Sequence, residues 1–232
     1  MQFRVHTCSK IGLRENQEDR ACTVAIPGGV IVAVADGLGG HAAGEVASAL
    51  AVHAIQHSPG TLADRLTTAH LHVRAAGRVE GQQGLGTTLT AAKLTSNPPA
   101  LDFAHCGDSR LYRIRGGKLQ RVTRDHSIAG ALLFYGHITE EAFDRGEGHQ
   151  AIVQYVGMDQ KLAMDTGSFA LQIGDVVVLT TDGVHGALTP AQFLAMVQGS
   201  GGSATKISTR LVEEALDLGG EDNATAVAIV VE

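Results

Sequence analysis

The segment Val30-Ile31-Val32-Ala33-Val34-Ala35 contains no polar residue, and half of it is β-branched valine. A strand with no polar position has no side to give to water, so it must be covered on both faces. The chain therefore has to stack material above and below a sheet. Its composition allows this, with 44% hydrophobic and 18% charged residues. The strand ends abruptly in Asp36-Gly37-Leu38-Gly39-Gly40-His41, which puts a carboxylate where a buried strand meets a turn. The same conjunction recurs at Asp182-Gly183, after the apolar run Val176–Leu179, and at Asp222, just before the apolar run from Ala224 to Val231. Asp108 lies in a fourth such turn, between two expected strands.

Pattern and punctuation predict further strands at Gln2–Cys8, Arg20–Ile26, Thr87–Leu94, Leu101–His105, Ser109–Arg115, Lys118–Val122, Met164–Leu171, Asp175–Thr180 and Ala224–Val231. The dipeptide Gly116-Gly117 reads as a hairpin turn. Helices are expected over Ala42–His57, from a capping box at Thr61 and Asp64 to about Val79, over Ala191–Gln198 and over Lys206–Leu216. A stretch from about 124 to 157 has little regular pattern apart from a short helix at Thr139–Phe143. Strands in blocks and helices in pairs indicate α+β architecture with antiparallel sheets rather than alternating βαβ units. With no linker or repeat, residues 1–232 read as a single domain.

Charge and cysteine usage narrow the function. Eighteen Lys and Arg against 24 Asp and Glu give a net charge of -6, the wrong sign for a nucleic-acid surface. Cys8, Cys22 and Cys106 cannot all pair and form no C-x-x-C, as expected for a reduced, cytoplasmic chain. No stretch approaches the roughly 20 apolar residues of a membrane span. The amino-terminal residues lack the apolar block of a signal peptide, so the sequon at Asn223–Thr225 is read as coincidence. Nothing demands more than a monomer, and the chain is expected to comprise a catalytic domain alone, with partner recognition left to its surface.

An isolated Asp-Gly is usually just a turn. Several at the ends of buried strands are harder to explain by packing, because such carboxylates repel one another unless a cation lies between them. Oxygen donors without a Cys or His cluster favour Mg²⁺ or Mn²⁺ over zinc. The histidine pairs His53/His57 and His70/His72 lack the glutamate of a helical zinc motif and read as surface or packed residues. Cys106 reads as a small core residue.

Arg14-Glu15-Asn16-Gln17-Glu18-Asp19, Val34-Ala35-Asp36-Gly37-Leu38-Gly39-Gly40-His41, Gly86-Thr87-Thr88, Gly107-Asp108-Ser109-Arg110, Thr123-Arg124-Asp125-His126-Ser127, Thr181-Asp182-Gly183 and Glu221-Asp222-Asn223-Ala224-Thr225 occur in this order. Together they resemble the PPM family of metal-dependent serine/threonine protein phosphatases (protein phosphatase type 2C) in its compact bacterial form. The resemblance implies a four-layer α-β-β-α sandwich of two antiparallel sheets flanked by helix pairs. It implies that Asp36 bridges two Mn²⁺ or Mg²⁺ ions, that Asp182 and Asp222 complete one site, and that the Gly37 carbonyl serves the other. Glu18 and Asp19 would act through water, Asp108 with Asp182 would recruit a third metal, and Arg14 would bind phosphate. Two close cations acidify a shared water, giving a hydroxide near neutral pH for in-line attack on phosphorus. Arg14 offers a bidentate fork to the non-bridging oxygens.

The implied activity is hydrolysis of phosphoserine and phosphothreonine on proteins, opposing a Ser/Thr kinase. The alternatives are a catalytically weak phosphoprotein-binding module, which would lack metal carboxylates, and a small-molecule phosphoesterase, which would need an enclosing pocket. Arg110 is expected to pair with an interior carboxylate, and His126 to be a hydrogen-bonding turn residue. Two departures stand out. Leu38 occupies the place of a proposed general-acid histidine, with His41 nearby but not assigned that role. The end of the flap (about 124–157) carries Gln150, Val153 and Gln154 where the family usually shows Asn, Thr and Arg.

Overall fold

The computed structural model describes residues 1–38, 42–78, 84–147 and 151–232. The first sheet has the order β10-β7-β6-β3-β2, from β2 (Arg20–Ile26), β3 (Gly29–Ala35), β6 (Leu89–Ser96), β7 (Pro99–Cys106) and β10 (Asp165–Ala170). The second has the order β1-β12-β11-β8-β9, from β1 (Phe3–Lys10), β8 (Arg110–Arg115), β9 (Lys118–Arg121), β11 (Val176–Thr180) and β12 (Ala224–Val231). Every pairing is antiparallel. A two-residue ladder joins β4 (Gly37–Leu38) to β5 (Gly86–Thr87).

Strand alternation shows how the layers stack. Along β3, Val30, Val32 and Val34 point into the space between the sheets, while Ile31, Ala33 and Ala35 point outward against α1 (Ala42–His57) and α2 (Leu62–Ala76). In the second sheet Val177, Leu179, Val227 and Ile229 face inward. Val176, Val178 and the alanines 224, 226 and 228 meet α6 (Pro190–Gln198) and α7 (Ala204–Asp217). The result is the expected α-β-β-α sandwich. Both sheets are antiparallel and yet covered on both sides, which is why their central strands carry no polar alternation. Small residues on the outer faces let the helices sit close.

Three features differ from the sequence expectation, the first being an unexpected one-turn helix, α5 (Asp182–His185), directly after β11. The expected strand Thr87–Leu94 is broken at Thr88, whose side chain turns to bind other loops. The irregular stretch contains α3 (Ile128–Phe134) as well as α4 (Glu140–Asp144). α3 is short and begins at Ser127, whose hydroxyl accepts from Gly130 N at 3.1 Å, so periodicity over two turns is too little to find it. The capping box at Thr61 and Asp64 is present as expected.

Leu179 is fully buried between the sheets. Leu179→Ala should lower unfolding free energy by about 3 kcal/mol, through lost burial and a residual cavity. Urea denaturation followed by circular dichroism measures this, and a loss no larger than that of a surface substitution would contradict the packing.

Candidate metal centre

Strand register brings the acidic turns to one end of the sandwich. Arg20 lies opposite Ala35, so Asp19, before β2, and Asp36, after β3, leave the first sheet together. Thr180 lies opposite both Arg110 and Ala226, which gathers Asp182, Asp108 and Asp222 at the same end of the second sheet. Asp19 and Asp108 are buried, whereas Asp36 and Asp182 are half-buried.

Backbone and hydroxyl contacts fix these turns. Asp36 N donates to Thr88 Oγ1 at 2.9 Å, and Thr87 Oγ1 donates to the Asp36 carbonyl at 2.8 Å. Thr88 Oγ1 in turn lies 2.6 Å from Ser109 Oγ, tying the Asp36 turn to the turn that carries Asp108. Thr181 Oγ1 donates to Asp19 Oδ2 at 2.8 Å and accepts from Thr225 N at 3.0 Å, so one hydroxyl joins three acidic turns. Asn223 accepts from Glu18 N at 2.7 Å and donates to the carbonyls of Ile11 and Asn16, pinning the loop that bears Glu18 and Asp19. Gly37 is required by proximity, since a Cβ there would overlap the Gly44 backbone. A Cβ on Gly44 would in turn stand 2.7 Å from Glu18 Oε2.

The electrostatics of the cluster are those of acids buried side by side. Burial pushes the Asp19 carboxyl up to about 7, against the pull of hydrogen bonds from Thr225 and Thr181. Burial, then repulsion from Asp182, pushes Asp108 up to about 8. Asp36 is raised well above the usual carboxylate range by burial and by Asp182 and Asp19, and Asp182 is raised by burial first. The Asp36 and Asp182 carboxyls are within hydrogen-bonding reach of each other. Two ionised carboxylates cannot hold that contact, so either a proton or a cation must lie between them. Asp19 Oδ1, Asp108 Oδ1 and Asp182 Oδ1 are buried with no hydrogen-bond partner. Buried oxygens without donors are unfavourable unless something else supplies positive charge.

Hard oxygen donors of this kind fit Mg²⁺ or Mn²⁺. Among the described residues no group of three or more His, Cys, Asp or Glu side chains forms a metal cage on its own. Asp222 gives Oδ2 to Arg14 Nη2 at 2.7 Å and Oδ1 to Asn223 N at 2.8 Å. A cation here would need water and backbone oxygen to fill its shell, as Mg²⁺ commonly does.

The remaining residues of interest fall around this cluster. Arg14 is exposed beside Asp222, at the rim. Arg110 makes a bidentate pair with the buried Asp125, at 2.9 Å from Nε and 2.8 Å from Nη2, as expected for a structural arginine. His126 Nδ1 accepts from Gly107 N at 3.3 Å and its Nε2 lies 3.3 Å from Asp165, a turn residue as expected. Val153 N donates to the His126 carbonyl, and Gln154 Oε1 accepts from Ala163 N at 3.4 Å. His53 and His57 are exposed, His70 accepts from Gly157 N, and Cys106 is core. His41 and Gln150 lie outside the described residues.

Sequence reasoning assigns no role to Thr181, Thr225 or Asn223, although all three stand inside the acidic motifs. It passes over His105 altogether. That ring is fully buried, with Nδ1 2.8 Å from Thr90 Oγ1 and Nε2 3.0 Å from the Arg124 carbonyl, and burial pushes it down to about 4. Only the local string around each residue was legible, and these partners lie far along the chain.

Solved structures share this architecture. The serine/threonine phosphatase PstP of Mycobacterium tuberculosis superposes with a TM-score of 0.86 at 32% identity, covering 99% of each chain. A catalytic domain of PstP solved with two manganese ions matches with a TM-score of 0.83 at 31% identity, again over 99% of each chain. The fold thus defines a serine/threonine phosphatase class, one solved member of which carries two manganese ions. A family model for protein phosphatase 2C matches residues 9–213. The protein phosphatase PhpP of Streptococcus pneumoniae is 31% identical over 215 residues, 88% of this chain and 86% of its own. The chain belongs to the protein phosphatase 2C family and is a protein serine/threonine phosphatase.

The raised carboxyls set a pH dependence. Between about 3.9, the unfolded Asp value, and the folded values near 7 and 8, the folded chain holds protons that the unfolded chain has released. Stability conferred by these protons is complete at acid pH and disappears as pH rises through the folded values. The Tm of metal-stripped protein should therefore fall from about pH 5 to about pH 8, and added Mn²⁺ should raise it more at the upper end, where the carboxylates are ionised. Calorimetry with and without Mn²⁺ checks both signs.

Proposed function

We propose that the chain hydrolyses phosphoserine and phosphothreonine on proteins at a divalent-metal centre, reversing the action of a Ser/Thr kinase. The observation that carries this reading is the convergence of Asp36 and Asp182 with the unpartnered oxygens of Asp19 and Asp108. Asp36, Asp182, Asp222 and the Gly37 carbonyl would hold two Mn²⁺ or Mg²⁺ ions, with Glu18 and Asp19 acting through water. Asp108, repelled by Asp182, would recruit a third with it. The ions would supply positive charge for the phosphate oxygens and acidify a water for attack. The protein's own contribution is orientation. Thr181 holds Asp19, Thr87 and Thr88 hold the Asp36 peptide, and Asn223 holds the loop of Glu18.

Arg14 would exchange its contact with Asp222 for the non-bridging phosphate oxygens. Both are anionic acceptors suited to its planar fork, and the exposed Arg14–Asp222 pair is weak enough to give way. The open recess beside the cluster supports a protein substrate over a small enclosed phosphoester. Unpaired Cys8, Cys22 and Cys106 support a reducing, cytoplasmic setting.

Metal-stripped protein should release phosphate from a phosphothreonine peptide only when Mn²⁺ is restored, and Asp182→Ala, folded by circular dichroism, should fall to background. Arg14→Ala should retain metal binding and lose about a hundredfold in kcat/KM, the scale of one lost transition-state donor. Turnover that is indifferent to Mn²⁺, or that survives in Asp182→Ala, would overturn the proposal.

A further inference from the structure

A cavity of about 1240 Å³ runs from the acidic cluster, where Asp108, Asp182 and Asp222 line it, to the flap, where Leu133, Phe134 and Phe143 line it. Pockets for small ligands span roughly 300–1,000 Å³, so this recess has room for residues on either side of a phosphorylated side chain. Its flap wall combines aromatic rings with arginines. The Arg124 guanidinium lies 4.3 Å from the Phe134 ring centroid and that of Arg121 4.4 Å from the Phe143 centroid.

Two kinds of substrate side chain could use such a wall, acidic or apolar, and the pairing of the arginines decides between them. Each of the four arginines lining the recess already has a carboxylate partner: Arg110 with Asp125, Arg121 with Glu140, Arg124 with Asp165 and Arg145 with Glu147. An acidic side chain would have to displace one of these. The apolar surface has no such occupant. Phe134 is 61% exposed, its only ring neighbour among the described residues is Tyr135, met edge-on at 5.2 Å, and Tyr135 is itself 73% exposed. An exposed aromatic ridge continuous with a catalytic recess marks a binding surface. The ridge is also held in place. Ser127 caps α3, the isolated bridge Ser127–Ile152 crosses its root, and Arg110 clamps Asp125 two residues earlier.

We infer that Phe134, with Leu133 beside it and the Arg124 guanidinium stacked on it, forms a subsite for an apolar side chain of the phosphoprotein close in sequence to the phosphorylated residue. It selects substrates carrying Leu, Met or an aromatic residue there over those carrying Gly or Asp. The inference rests on the phosphatase reading above.

The test uses Mn²⁺-loaded protein and phosphothreonine peptides in which Leu, Asp or Gly is placed in turn at each of the three positions either side of the phosphothreonine. p-Nitrophenyl phosphate, which carries no flanking residues, is the internal standard measured on each protein. Wild type should favour Leu over Gly about tenfold in kcat/KM at one or more positions, the scale of one buried apolar side chain. In Phe134→Ala that ratio should collapse towards unity, and in Phe134→Leu it should partly persist. Equal rates for Leu and Gly peptides in wild type, a Leu preference undiminished in Phe134→Ala, or a preference for Asp would each overturn the subsite while leaving the phosphatase intact. Mn²⁺-loaded wild type that turned over neither peptide nor p-nitrophenyl phosphate would overturn the phosphatase reading, and the subsite with it.

Discussion

Burial of Asp19, Asp36, Asp108 and Asp182 beside one another, compounded by repulsion from their neighbours, is the constraint around which the rest of this molecule is arranged. Folding brings these carboxyls out of water and close together, with three of their oxygens left without donors. A structure optimised only for stability would not place acids where two buried sheets end. The apolar interface of Val30, Val32, Val34, Leu179, Val227 and Ile229 supplies the offsetting favourable term, since its burial comes from both sheets at once. The turns can then be held in an arrangement that is unfavourable until positive charge arrives.

Hydroxyls carry out much of that holding. Thr181 donates to one oxygen of Asp19 while receiving Thr225 N, and Thr88 joins the Asp36 peptide to Ser109. These groups accept and donate at the same time and carry no charge, so they fix carboxylates without neutralising them. An arginine in their place would satisfy the same oxygens and remove the attraction for a cation. The arginine nearest the cluster's exposed edge, Arg14, sits at the rim against Asp222, where exchange with an incoming anion is inexpensive. Deeper in, Arg110 is committed to Asp125 and stiffens the root of the flap.

Much of the fold was legible because its elements announce themselves locally. The runs Arg20–Ile26 and Ala224–Val231, the helix Ala42–His57 and the capping box at Thr61 have the same bounds in sequence and structure. The acidic residues were legible for a related reason, since an aspartate at the end of an apolar strand is conspicuous in the string. α3 was not legible, because seven residues of weak periodicity are held by a cap and by tertiary contacts. The hydroxyl network was not legible either. Thr181 and Asp19 are 162 positions apart, and Thr88 and Ser109 are 21 apart.

The amino-acid sequence by itself determined the layered antiparallel architecture and the identity of the acids, because strand alternation, turn chemistry and apolar runs are properties of neighbours along the chain. Only the tertiary structure decided that five acids from both sheets converge at one end, that Asp222 faces Arg14, and that every arginine of the recess is already paired while Phe134 stays exposed on its wall. Those outcomes depend on strand register and on which sheet faces which. Both are set by the summed burial of the whole interface, and no local segment encodes that sum.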